Sequence, residues 1–124
     1  MNKKIPVVIV LGILIISLAF IFWPRDAETL NLDVFAQCLA EKGATMYGAE
    51  WCPHCKEQKK LFGGSWSLVP YVECPENISL CLARGIEGYP TWLVSTSTRL
   101  VGTQSLEELS RATACPLPLE KQNQ

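Results

Sequence analysis

Cys52 and Cys55 stand two residues apart in the run Trp51-Cys52-Pro53-His54-Cys55. Two thiols at that spacing can close on each other. The short apolar stretch before them, Ala44 to Gly48, reads as a strand, and the stretch after them reads as a helix. The pair therefore falls at a strand-to-helix junction, the arrangement of a redox-active dithiol. Cys52 takes the N-cap region and Pro53 the first helical position, where a missing N–H costs nothing. Lys59, Lys60 and the pair Gly63-Gly64 end the helix.

Such a junction has a chemical consequence, because the thiolate rather than the thiol attacks and leaves. Unpaired N–H groups and the positive end of the helix dipole favour Cys52 as the anion. His54, between the two cysteines, can add a hydrogen bond or a positive charge. Both effects make Cys52 a better leaving group and the couple more oxidising, within a tuning range on the order of 150 mV. A structural disulfide or half of a zinc site is the competing reading. Zinc needs two further ligands, and His54 between the cysteines is badly placed to be one. An inert exposed histidine is the competing reading for His54. No cofactor and no metal are expected.

Between Lys4 and Arg25 the chain carries no charge, and Ile5 to Trp23 is an apolar run of 19 residues, against the roughly 20 that span a bilayer as a helix. Residues 1–24 are read as a single membrane anchor in contact with lipid through residues 5–23. Lys3 and Lys4 favour a cytoplasmic N-terminus, and Trp23 suits the far interface. A cleaved signal peptide is the alternative, but the run is long for one and no small-x-small site follows it. Either reading exports the remainder.

Without Lys3 and Lys4, the eleven basic residues fall to nine against twelve acidic ones, a net of −3. That balance, with no basic cluster beyond Lys56, Lys59 and Lys60, argues against a nucleic-acid partner. All six cysteines lie beyond the apolar run, which suggests an oxidising compartment where disulfides persist.

Residues 25–32 read as a connector and residues 33–115 as one domain. Asp33 can cap a helix through about Lys42, with Val34, Cys38, Phe35 and Leu39 as its apolar stripe. Leu68 to Glu73 reads as the next strand, with Pro70 arguing against pairing along both sides. Asn77 can cap a short helix closed by Gly85. Thr91 to Val94 and Arg99 to Val101 form a hairpin, and Ser105 with Glu108 makes a capping box for a last helix whose core contacts are Leu106 and Leu109. Residues 116–124 read as a mobile tail. The order predicts an α/β fold, a mixed sheet with helices on both faces.

WCPHC opening a helix, followed by Gly88-Tyr89-Pro90-Thr91 before a hairpin and terminal helix, resembles the thioredoxin fold. MYGAEWCPHCKEQKKLFG, VPYVEC and GIEGYPTW followed by SLEEL are similar to the thioredoxin-like domain fused to bacterial and plant homologues of vitamin K epoxide reductase. The resemblance covers roughly residues 35–111. It implies that Cys52 is the exposed attacking thiol, Cys55 the recessed resolving thiol, Pro90 a cis-proline against the dithiol, and Tyr89 a backbone contact for an extended substrate. Trp51 is read as part of an apolar rim for peptide-like substrates, although Tyr89 and Trp92 read equally as core aromatics. Two departures stand out: one spanning helix replaces the multi-helix quinone-reducing domain, and Met46 occupies the position of the buried acid found in ordinary thioredoxins.

Cys74 and Cys81 can form a structural disulfide, with a second redox pair as the alternative. Cys38 and Cys115 are then left over, and their pairing is only arithmetic. The sequence thus points to a membrane-anchored thiol-disulfide oxidoreductase, periplasmic or extracellular. It would oxidise cysteine pairs in exported proteins and be reoxidised by a membrane oxidase resembling vitamin K epoxide reductase. A reductase or isomerase and a redox-inactive assembly or metal-carrying module are the alternatives.

Overall fold

A computed structural model describes residues 4–21 and 29–118, with side chains described for residues 7–18 and 32–118. Its centre is β1 (Ala44–Gly48), whose side chains alternate between two cores as strand geometry requires. Ala44 and Met46 face a large core and Tyr47 a smaller one. β2 (Tyr71–Glu73) pairs parallel to β1, with Gly48 opposite Glu73. A parallel neighbour needs a crossover, and α3 (Pro53–Phe62) supplies it. β3 (Thr91–Val94) runs antiparallel to β1, and β4 (Thr98–Val101) antiparallel to β3, giving the order β2-β1-β3-β4.

The large core is closed by α2 (Thr29–Glu41), α3 and α5 (Leu106–Thr113). Phe35 of α2 stacks on Phe62 of α3, and Phe62 in turn packs on Trp92 of β3. On the opposite face, α4 (Ile78–Ala83) brings Cys81 onto Tyr47, Cys74 and Ile86. The result is a mixed α/β thioredoxin-like fold, a four-stranded sheet flanked by helices.

Several boundaries differ from the sequence expectation, each for a physical reason. α2 begins at Thr29 rather than after Asp33, so residues 29–32 are helical and not connector. Leu32 is buried with Phe35, Ala36 and Leu39, a three-and-four spacing that carries the helix back one turn. Val34 lies off that stripe and is 59% exposed, and Asp33 accepts the Ser65 hydroxyl instead of capping.

β2 holds only three residues, because Gly63–Leu68 winds as a 3-10 segment. Pro70 enters the sheet through its carbonyl, which accepts the Met46 N–H at 2.9 Å, and β2 is an edge strand. Asn77 stands at the α4 N-cap, but its side chain donates to the Glu73 carbonyl and makes no cap bond. Ser105 accepts from the Glu108 N–H, whereas the Glu108 carboxylate turns to Arg111, so the capping box is half made. Leu117 is buried in the large core, which carries ordered packing past the expected start of the tail at Pro116. Residues 119–124 of that tail lie outside the described residues.

α1 (Lys4–Ile21) is helical, and its large apolar side chains between Val7 and Leu18 are each more than half exposed. Among the described residues no helix is long and apolar enough to cross a membrane. Phe22 and Trp23 of the expected span, and residues 25–28 of the connector, lie outside the described residues.

Candidate active site

Beyond Gly48 the chain makes a tight turn in which the Cys52 N–H donates to the Ala49 carbonyl at 3.1 Å. Cys52 is the N-cap of α3, with extended backbone angles, and its carbonyl accepts the Lys56 N–H to start the helix. Pro53 follows at the first helical position. Gly63 ends the helix with a φ of +54°, a conformation natural to glycine.

Cys52 is covered rather than exposed: only 6% of its surface is accessible, against 0% for Cys55. The cover comes from an opposing wall. The Cys52 thiol points at the Tyr89 carbonyl, 3.8 Å away. The Tyr89–Pro90 peptide bond is cis, and Pro90 is buried. The wall is held from both sides, by the Thr91 hydroxyl donating to the Gly88 carbonyl and by the Gly102 N–H donating to the Pro90 carbonyl, each at 2.8 Å. Trp51, 68% exposed, sets its indole edge-on to the Tyr89 ring, with centroids 6.2 Å apart. Trp51, Cys52, Tyr89 and Pro90 are thus brought together beside Cys55. Trp92 instead lies wholly inside the core.

His54 is directed elsewhere. Its side chain is exposed and its Nδ1 lies 3.3 Å from the Glu57 carboxylate, three residues along the helix, so it pairs with that carboxylate and with neither sulfur. The second helical position points a side chain out along the helix surface, where an i, i+3 partner is within reach.

Cys55 sits against the end of β1. A Cβ at Gly48 would lie 2.7 Å from its sulfur and 3.3 Å from the Tyr71 ring. Burial pushes the Cys55 thiol up to about 11; a backbone hydrogen bond from Ala49 opposes this, the neighbouring Cys52 adds to it, and the Lys59 charge opposes it. Beside it the Tyr71 hydroxyl donates to one Glu73 oxygen, while the other accepts the Glu50 N–H at 2.9 Å. Burial, then Glu73, pushes the Tyr71 phenol up. Met46 is apolar and fully buried, so its place on β1 offers Cys55 no carboxylate.

Gln58 is a site residue that the sequence reading missed. Fully buried on α3, its amide oxygen accepts the Trp92 indole N–H at 3.2 Å and the Gln104 N–H at 2.7 Å, and its amide nitrogen donates to the Gln104 carbonyl at 3.0 Å. This clamps the cysteine-bearing helix to β3 and to the loop after β4. Its i, i+4 relation to Phe62 was the available signal, hidden by a polar residue type.

The other four cysteines form two bridges. Cys38–Cys115 joins the end of α2 to the segment after α5, and Cys74–Cys81 joins the end of β2 to α4. Cys52 and Cys55 are the free pair. Among the described residues no group of three or more His, Cys, Asp or Glu side chains is arranged to hold a metal ion.

Two adjacent thiols, one nearly covered and one wholly buried, can pass between dithiol and disulfide by exchange with another cysteine pair. Fold and site together define a thioredoxin-like redox domain. Similarity to known proteins narrows the class. The chain is 40% identical over 91 residues to the thiol-disulfide oxidoreductase LTO1 of Arabidopsis thaliana, covering 66% of this chain and 24% of that protein. It is 36% identical over 78 residues to a protein disulfide-isomerase of Aspergillus oryzae, covering 55% of this chain and 15% of that protein. A protein disulfide isomerase-like 2-1 of Oryza sativa is 34% identical over 77 residues, 53% of this chain and 21% of that protein. No family model matches the chain. The chain spans less than a quarter of the length of each of these relatives. It carries a thioredoxin-like redox domain related to plant and fungal thiol-disulfide oxidoreductases, and the likeness with the close cysteine pair supports an oxidoreductase or isomerase-like enzymatic function.

Proposed function

We propose that this protein is a membrane-anchored thiol-disulfide oxidoreductase outside the cytoplasm that oxidises cysteine pairs in exported proteins. The observation that carries the reading is the pairing of four cysteines into bridges while Cys52 and Cys55 stay free at the start of α3. Starting from a Cys52–Cys55 disulfide, a client thiolate attacks the Cys52 sulfur. The bond between Cys52 and Cys55 breaks, a bond from client to Cys52 forms, and the electron pair stays on Cys55. A second client thiolate attacks the client sulfur, releasing Cys52 and leaving the client oxidised. The disulfide of a membrane oxidase resembling vitamin K epoxide reductase takes the two electrons back.

Trp51, Tyr89 and Pro90 serve in this reading as the client-facing wall, with the Tyr89 carbonyl beside the attacked sulfur. α1 serves as the anchor, its exposed apolar side chains facing lipid and its N-terminus in the cytoplasm. The bridges Cys38–Cys115 and Cys74–Cys81 fit an oxidising compartment.

Replacing Cys55 with Ala tests the proposal. The variant should accumulate mixed disulfides through Cys52, with exported clients and with a membrane oxidase, and an absence of Cys52-dependent adducts would overturn the enzymatic reading. The likeness to protein disulfide-isomerases favours a second reading, rearrangement or reduction of wrong bridges. A Cys52–Cys55 potential close to the thioredoxin value of about −270 mV would decide for reduction, and one near the protein disulfide isomerase value of about −180 mV for rearrangement.

A further inference from the structure

Cys55 and Lys59 are four residues apart on α3 and so share one face of the helix. The Lys59 ammonium does not reach a carboxylate: among the described residues it makes no ion pair. It stands instead over two aromatic rings, 4.2 Å from the centroid of Tyr71 and 5.6 Å from that of Trp66. These rings meet edge to face, 5.6 Å apart, so they form a fixed seat rather than a passing contact. A cation over ring faces keeps its full charge. Tyr71 and the Cys55 sulfur both border the space at Gly48, and Lys59 follows Cys55 by one turn of α3, so the seated charge lies on the Cys55 side of the helix.

The groups that act on Cys55 are the Ala49 backbone, Cys52 and Lys59, and Tyr71 beside it faces Glu73 of β2 and Glu50 of the preceding turn. Glu73 is engaged by the Tyr71 hydroxyl and the Glu50 N–H, and Lys59 is the cation that acts on the Cys55 thiol. We propose that Lys59 is a positioning charge for the recessed thiol: seated on Tyr71 and Trp66, it acts as counter-ion to the Cys55 thiolate as that sulfur leaves.

The inference rests on reading Cys52–Cys55 as an exchanging pair, and it predicts a separation of rate from equilibrium. When a client thiolate attacks Cys52, negative charge develops on a buried sulfur, and a nearby cation stabilises that charge. At neutral pH the finished dithiol carries Cys55 as a neutral thiol, so the same cation leaves the equilibrium almost untouched. Lys59 therefore speeds the opening of the disulfide without setting its potential.

The test uses the full chain with Lys59→Met, which keeps length and loses charge, and Lys59→Arg, which keeps charge and ring contact. Reduction of the Cys52–Cys55 disulfide by glutathione at pH 7 should slow about three- to tenfold in Lys59→Met, because a leaving thiol of higher pKa leaves more slowly. Lys59→Arg should restore most of the rate, and the equilibrium with glutathione should agree across all three proteins. In a Cys52→Ser background, the Cys55 ionisation followed by NMR should move to higher pH in Lys59→Met. An unchanged rate and ionisation in Lys59→Met, or an Arg variant as slow as the Met variant, overturns the proposal. If the wild type fails to exchange with glutathione or any client, the functional reading fails, while the Cys55 ionisation still decides the role of Lys59. Should Lys59→Met not fold, Lys59→Gln carries the same measurements.

Discussion

A methyl group on Gly48 would come 2.7 Å from the Cys55 sulfur, closer than carbon and sulfur can approach, with the Tyr71 ring at 3.3 Å and the Met46 methyl at 3.4 Å on its other sides. The bare backbone at the end of β1 is the space in which the recessed thiol sits. Gly48→Ala must push α3 outward or turn the Cys55 side chain. Overpacking of this kind costs typically about 1–3 kcal/mol. We expect a loss of that size in urea unfolding, together with slower closure of the Cys52–Cys55 bond. Wild-type values for both would show that the sulfur has room elsewhere.

Gln58 predicts a different failure. Gln58→Leu keeps bulk at a fully buried position but leaves the Trp92 indole N–H and both backbone groups of Gln104 without their partner. Each buried polar group left unpaired costs about 1–3 kcal/mol. A destabilisation of about 1–3 kcal/mol is expected, chiefly from the Trp92 indole N–H, because the Gln104 groups are only partly buried. Amide hydrogen exchange should locate the loosening at Gln104 and along α3, and a variant as stable as the wild type would mean that the clamp is dispensable.

Much of this framework was legible in sequence where one residue type has one physical use. Pro53 can open a helix but not continue one, and Gly63 and Gly85 close helices because each takes a positive φ. The redox pair was legible for the same reason. Polar residues with buried jobs were not: Gln58 reads as helix surface, and Lys59 as one more solvated charge. His54 shows the converse, since chain proximity to two sulfurs suggested a contact that helix geometry sends toward Glu57. The start of α2 is hidden because Asp33 has the chemistry of an N-cap, whereas burial of Leu32 with Phe35 and Ala36 carries the helix back past it.

Cys55 makes the stability of the reduced domain depend on pH. Its thiol is raised from 9.0 to about 11, chiefly by burial, so the folded state holds that proton more tightly than the unfolded chain does. Stability from this group is fully present below about pH 9 and is lost as pH rises through about 11. Tyr71, also raised, adds a loss of the same sign at higher pH in either redox state. The oxidised domain has no Cys55 thiol to titrate. Urea unfolding of both forms between pH 8 and pH 11 should therefore show the reduced form weakening more, and parallel curves would remove burial as the cause.

The two bridges allow the remaining redox question to be settled by subtraction. Cys38–Cys115 closes a loop with a sequence separation of 77, and Cys74–Cys81 one of 7. In the chain-entropy picture these stabilise by about 4.5 kcal/mol and about 2–3 kcal/mol respectively. Replacing Cys38 and Cys115 together with Ala should cost the larger amount. Replacing Cys74 and Cys81 with Ala should cost the smaller amount and leave client oxidation through Cys52 intact, because neither sulfur lies at the start of a long helix where a thiolate is stabilised. If the Cys74/Cys81 variant is stable yet cannot be recharged by its oxidant, that bridge is an electron relay and its structural assignment fails.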